Sequence, residues 1–131
     1  MTPIVFINTK EVPFVDLIIS GKKWIESRNK PTLHKLVGGP FGDGCHVMIA
    51  ETGHGKPVVR CSAHIMFAQW AFKNEWEDLR GATCVPVGSK YDIGERTKKC
   101  LYYISDVKPV EPFVPPEGKR HGRVWMEFEE E

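Results

Sequence analysis

The sequence predicts a mixed α+β domain in which strands dominate: a small barrel or strongly curved sheet of about six strands, with two or three helices at its mouth. Three observations lead there. Short β-branched and aromatic runs recur along the chain. Most of the links between them are short. One helical pattern separates the first two runs. The 131 residues, 41% apolar and 27% charged, suit one ordinary globular domain, residues 1–131.

The first run is residues 4–7, Ile-Val-Phe-Ile. Thr9 is placed to cap the next helix, with Pro13 in its first turn. Phe14, Leu17 and Ile18 recur at helical spacing, and Gly21 is a stop signal. Residues 24–28 read as the second strand, and residues 29–31 break it. Residues 37–44 hold four glycines and a proline and read as a mobile loop. Residues 46–51 and 58–67 form a hairpin around the turn at 52–57. Residues 70–79 have helical composition, ended by Gly81. Residues 82–98 give no assignable pattern. A further strand covers 101–107. Four prolines make 109–118 an extended link, and 124–128 is the last strand.

Composition limits the function classes. Net charge is +1, so no global field draws the chain to nucleic acid, and any such contact must be a local patch. No run of 18 apolar residues suggests a membrane span. No secretory pattern is seen, so the expected setting is the cytoplasm. There Cys45, Cys61, Cys84 and Cys100 are expected as thiols. The final glutamates, 129–131, read as a solvated acidic tail. Cys61 with His64, and Cys45 with His46, have strand spacings that put their side chains on opposite faces, so no metal site is expected. No cofactor is implied.

The most informative stretch is residues 21–28, Gly-Lys-Lys-Trp-Ile-Glu-Ser-Arg, where helix gives way to strand. Alternation on a strand puts Trp24, Glu26 and Arg28 on one face and Ile25 and Ser27 on the other. Lys23 leans in from the turn. An amine, a carboxylate, a guanidinium and a ring so gathered suit a planar, polar, phosphorylated ligand. The alternative is a surface salt-bridge strand of little energetic weight. A second basic group, Lys119, Arg120, His121 and Arg123, is either a solvated loop or a phosphate contact at the rim. If it lies near Lys23, the two patches make one groove for an anionic ligand. Trp24 is the aromatic residue expected to stack on a base.

The pattern Gly21-x-Lys23-x-x-Glu26-x-Arg28, after a helix and opening a strand, resembles the signature of the ASCH family, whose domains are similar in fold to the PUA RNA-binding domain. The ending is also similar to small stand-alone ASCH proteins: Leu-Tyr-Tyr-Ile-Ser-Asp at 101–106, a proline-rich link, then Gly-Lys-Arg-His-Gly-Arg at 118–123. The resemblance covers most of the chain and is weakest at 70–99. It implies a PUA-like β-barrel whose cleft, lined by the motif, binds RNA or a nucleoside or nucleotide.

One branch of the family resembles acetylcytidine amidohydrolases, with a lysine, a threonine and a distant glutamate held to be catalytic. Lys23 matches the lysine. Glu26 occupies the threonine position, so the hydroxyl is missing there, and Ser27 is expected on the opposite face. Glu75 and Glu77 are positional candidates for the distant glutamate. Three readings follow from the resemblance. In the first, Lys23, Trp24, Glu26, Arg28, Lys119, Arg120 and Arg123 bind RNA or a nucleotide. In the second, Lys23 and Glu26 catalyse amide hydrolysis on an acylated nucleoside. In the third, the chain is a protein-interaction module with a protein partner.

Overall fold

The structure, a computed structural model, describes residues 2–128. The acidic tail lies outside the described residues. Strand β1 (Ile4–Asn8) leads to helix α1 (Phe14–Ile19) and strand β2 (Ile25–Arg28). Helix α2 (His34–Val37) and a 3-10 turn (Gly39–Phe41) precede the hairpin of β3 (Cys45–Thr52) and β4 (Val58–Phe72). Helix α3 (Lys73–Trp76), a 3-10 turn (Glu77–Leu79) and helix α4 (Arg80–Thr83) come before the long strand β5 (Lys98–Phe113). Two short strands, β6 (Arg120–His121) and β7 (Trp125–Met126), come last.

All seven strands belong to one sheet in the order β2-β5-β4-β3-β1-β7-β6. Among the described residues, only the β1–β3 pair is parallel. That pair has helix α1 in the connection after β1, as a parallel pair requires a crossover. The apolar run of β1 is buried on both sides, as expected for an interior strand. Val5 and Ile7 enter the main core with Phe14, Val15 and Ile18 of α1, while Ile4 and Phe6 enter a smaller core with Ala50, Val59 and Met126.

The sheet is strongly bent but does not close into the expected barrel. Register shifts interrupt the β3–β4 and β4–β5 pairings. One falls where Asp106 takes a left-handed backbone conformation (φ 51°), which a short carbonyl side chain tolerates best after glycine. Such bulges bend and twist long strands. The curl brings the edge strand β2 beside the C-terminal half of β1, yet the two do not pair. The only recorded hydrogen bond between them comes from a side chain: Arg28 Nη2 donates to the Phe6 carbonyl, 3.1 Å away. Charged side chains stand in the seam where a backbone ladder would close a barrel.

Other local expectations change with tertiary context. Thr9 does not cap α1; its hydroxyl lies 3.2 Å from Glu51 Oε2, and Pro13 occupies the cap position itself. Trp70 belongs to β4, because pairing of residues 70–72 with 98–100 of β5 extends that strand into the stretch whose helical composition suggested otherwise. The helical stretch begins at Lys73, and Gly81 lies inside α4 rather than ending it. Residues 37–41 wind into helical turns, with Val37 buried, and 42–44 stay irregular. Pro109 and Pro112 lie inside β5, on a stretch beyond the end of β2, where proline costs no ladder bond on the open side. The last strand shrinks to two residues.

The unassigned stretch 82–98 is pinned rather than loose. Asp92 accepts hydrogen bonds from Trp76 Nε1 (2.7 Å), Gly88 N (2.7 Å), Ile93 N (2.9 Å) and Arg80 Nη2 (3.1 Å). These donors, the Gly88 amide foremost, hold its carboxyl well below the usual carboxylate range. A depressed carboxylate stabilises the fold above the unfolded-state pKa near ~4 and loses that contribution on acidification. Asp92→Ala is expected to lower stability in urea unfolding at pH 7 by about 3 kcal/mol, because four donors lose their acceptor. A loss under about 0.5 kcal/mol, the scatter of ordinary surface changes, would refute this anchoring role.

Candidate functional site

The site is built outward from Lys23. This lysine is buried, 1% exposed, at the end of the turn that joins α1 to β2. Its Nζ donates to the carbonyls of Ile25 (2.6 Å) and Thr83 (2.7 Å) and pairs with Glu26 Oε1 at 3.3 Å. An ammonium has three N–H groups, and three acceptors surround it here. The Phe14 ring lies 4.8 Å from the same nitrogen. Burial pushes the Lys23 pKa down, and Glu26 opposes that shift.

Glu26 is the hinge of the cluster. Its second oxygen accepts from Arg28 Nε (3.1 Å), with Arg28 Nη2 2.9 Å away. Burial by itself would raise the Glu26 pKa, but Arg28 and Lys23 outweigh it and hold the carboxyl below its ordinary value. Glu26 is therefore a carboxylate at neutral pH, clamped between two cations. Arg28 spends Nε and Nη2 on Glu26 and Phe6, and no partner is recorded for its Nη1 among the described residues. The alternative reading, a surface ion-pair strand, does not hold: Lys23 and Glu26 are buried and Arg28 is only partly exposed.

A hollow of about 300 Å³ opens at the unclosed seam. β1 contributes Phe6, Ile7 and Asn8 to its wall, and β2 contributes Glu26, Ser27 and Arg28. Lys23, Phe14, Thr52, Val85, Tyr91 and Arg123 complete the lining. Three cations and one carboxylate leave a surplus of two positive charges. The geometry offers what an anionic ligand with an apolar body needs: cationic donors, hydroxyls and aromatic walls in one concavity.

The expected residues divide. Lys23, Glu26, Arg28 and Arg123 meet in the hollow. Ser27 joins them against expectation, because β2 is an edge strand and a hollow at its open side reaches residues of both faces. Trp24 does not line the hollow. It precedes β2, so strand alternation does not govern it, and it lies half-exposed against Tyr103 with ring centroids 6.1 Å apart. Lys119 turns to Glu127, 3.7 Å away, beside a separate depression. Arg120 lies over the Phe6 ring at 4.7 Å, covering the smaller core. Only Arg123 of the second basic group reaches the first, with no ion pair recorded among the described residues.

Sequence reasoning missed Phe6, Ile7, Asn8, Phe14, Thr52, Val85 and Tyr91 as wall residues. Phe14 reads as core by its helical spacing, and it is buried, but its ring also faces the hollow. Tyr91 comes from a stretch with no local pattern. Lys99, also buried, had no signal either; burial lowers its pKa to about 8.

No protein-family model matches this chain, and no curated protein matches it in sequence. Among solved structures, a crystal structure of a mutant ZmASCH protein from Zymomonas mobilis superposes with a TM-score of 0.64. The match covers 86% of this chain and 74% of that one, at 18% sequence identity. The fold is ASCH-like. At that identity the likeness concerns the path of the backbone, and the ASCH-like arrangement puts the Gly-x-Lys-x-x-Glu-x-Arg segment at the seam of the curled sheet. Among the described residues, no helix is long and apolar enough to cross a membrane.

The clamped carboxylate makes a pH prediction. Glu26 is depressed, so its stabilisation is full above the unfolded-state value near ~4.3 and fades as the pH falls through its folded value. Glu26→Gln leaves Lys23 buried without its counter-charge, a change expected to cost roughly 3–5 kcal/mol at pH 7. Melting temperatures measured from pH 7 to pH 3 should show the variant's deficit shrinking as the pH drops. A deficit of constant size across that range would contradict the assignment.

Proposed function

We propose that this chain binds a single nucleotide unit, free or as one unstacked residue of an RNA strand, in the hollow at the seam. The observation that carries this reading is the hollow itself: one open concavity with a surplus of two positive charges beside apolar and aromatic walls. Its volume lies at the lower end of the roughly 300–1,000 Å³ typical of small-molecule sites, which suits one nucleotide and not a stacked run. Arg28 Nη1 and the guanidinium of Arg123 contact phosphate or carbonyl oxygens. Glu26 accepts from the donor edge of a base. Lys23 serves as a positioning residue that keeps Glu26 ionised and fixed.

Hydrolysis of an acylated nucleoside is the rival reading, and it asks Lys23 to take up a proton. All three Lys23 N–H groups already have acceptors. Freeing one leaves a buried carbonyl or Glu26 unpaired, which burial penalises. The arrangement of Lys23 therefore favours binding over catalysis.

Titration calorimetry with cytidine 5′-monophosphate, uridine 5′-monophosphate and the matching nucleosides tests the proposal. The monophosphates should bind more tightly than the nucleosides, and added salt should erode the difference. Arg123→Ala should weaken monophosphate binding by roughly tenfold, the effect of one charge-assisted contact, with little change in melting temperature because the side chain is exposed. Equal affinity for nucleoside and monophosphate, or an Arg123→Ala variant that binds like the wild type, would count against the reading. Release of cytidine from N4-acetylcytidine that disappears in Lys23→Ala would replace it with the hydrolytic one.

A further inference from the structure

The seam hollow gathers more positive charge than one residue inside a nucleic-acid strand can balance. Phe6 is where its two arginines meet. The Phe6 amide donates to the Val124 carbonyl at 2.9 Å, and the Phe6 carbonyl accepts from Arg28 Nη2 at 3.1 Å. The β6–β7 hairpin therefore covers the edge of β1 as far as the Phe6 amide, and the Arg28 side chain takes over at the next acceptor. Arg123 is the chain neighbour of Val124, and both arginines line the hollow.

The charges of this cluster do not cancel. Glu26 turns one oxygen to Lys23 and the other to Arg28, so its single charge is fully engaged by the protein. Lys23 has spent its three N–H groups on protein acceptors. The surplus is carried at the open side by two guanidiniums. Arg28 keeps Nη1 without a recorded partner among the described residues, on a side chain 19% exposed. Arg123 is exposed, and no ion pair of its side chain is recorded among the described residues. An ion-pair strut accounts for Arg28, and a solvated turn accounts for Arg123. Neither accounts for both lining one concavity, where like charges repel more than on an open face. An anion between them turns that repulsion into attraction.

The count of charges points to the kind of anion. A phosphodiester inside a strand carries one negative charge per phosphate. A phosphate monoester carries about −1.5 to −2 at pH 7, with a second pKa near ~6, and offers three terminal oxygens to donors. Asn8, Ser27 and Thr52 line the same hollow and supply neutral donors beside the two cations.

We propose that the seam hollow selects a terminal phosphate monoester, either a nucleoside monophosphate or the phosphorylated end of an RNA strand, over a residue inside a strand. The proposal rests on the nucleotide-binding reading and narrows it. Arg28 and Arg123 share the dianion, and each contacts its oxygens with donors that the protein leaves unused.

The test compares ligands that differ by one charge. Cytidine and uridine 5′-monophosphates are titrated by calorimetry at pH 7.5 beside their 5′-(methyl phosphate) esters, in which the methyl group blocks the second ionisation. The monophosphates should bind roughly tenfold more tightly than the esters, the effect of one charge-assisted contact. At pH 5 the ratio should shrink toward unity, because the monophosphate is then a monoanion as well. The ester meets the same protein charges at both pH values, so their titration cancels from the ratio. Those charges are Lys23, Glu26 and Tyr91 in the hollow and Arg120, His121 and Glu127 close to Arg123 in the chain. In Arg123→Ala the ratio at pH 7.5 should fall to roughly threefold, half the binding increment, because one guanidinium remains. Short oligouridylates carrying a 5′-phosphate, a 3′-phosphate or neither distinguish the two sources. Tighter binding of a phosphorylated strand assigns a strand end, and weak binding of all three beside a tight monophosphate assigns the free nucleotide. Equal affinity for monophosphate and ester at pH 7.5, or an unphosphorylated strand that binds as tightly as the monophosphate, overturns the monoester preference. If the monophosphates still outbind the nucleosides in that case, the nucleotide pocket stands. Failure of the wild type to bind any of these probes overturns both.

Discussion

A buried ammonium governs the arrangement of this protein. Lys23 sits where α1 turns into β2, and burying its charge is tolerable only with every N–H donated and a counter-charge at hand. Its acceptors come from Ile25 in the strand that follows, from Thr83 at the end of α4, and from Glu26. One side chain thus ties the α1–β2 turn to a helix 60 residues further along the chain. Glu26 in turn holds Arg28, and Arg28 reaches the Phe6 carbonyl across the seam. The four groups form a continuous polar chain from one edge of the curled sheet to the middle of β1. Each link fixes the next.

This chain of contacts explains why the sheet stops short of a barrel and why the gap becomes a site. Bulges in the long antiparallel β4–β5 pair bend the sheet until β2 faces β1. Backbone pairing there would seal the interior. Charged side chains fill the boundary instead, and they need more room than a ladder of N–H and C=O groups. Most wall residues of the hollow belong to a strand, a helix or the pinned segment that carries Tyr91, and Lys23, in the α1–β2 turn, is held by its three acceptors. Water-accessible cations lie next to apolar surface inside a concavity, and electrostatic attraction is stronger there than on an open face. Arg123 arrives from the short β6–β7 hairpin, the last described part of the chain, so the site joins residues from both ends of the sequence.

The legibility of the sequence followed the range of the interactions. The runs at 4–7 and 46–51 and the β3–β4 turn were readable because alternation and glycine-rich turns are local properties. The helix at 14–19 was readable by its spacing. Trp70 was not, since its helical composition is overridden by pairing with Cys100 in a strand 30 residues away. Trp24 shows the same limit at the site. Strand alternation correctly joined Glu26 to Arg28, but it could not show that the strand begins one residue after Trp24. Lys119 and Arg120 were read as one basic patch with Arg123, and the hairpin sends them to different neighbours.

By itself the sequence determined a mainly β domain with a helix after its first strand, and it placed Glu26 and Arg28 on one strand face with Lys23 close by, because period-two alternation is a local property. Tertiary structure alone decided that Lys23 and Glu26 are buried, that the sheet remains open beside them, and that Arg123 and Tyr91 line the same hollow. Those outcomes depend on how far a bulged pair of long strands curls and on which distant carbonyl meets a buried amine. Both are set by packing among residues far apart in the chain, and no local pattern encodes them.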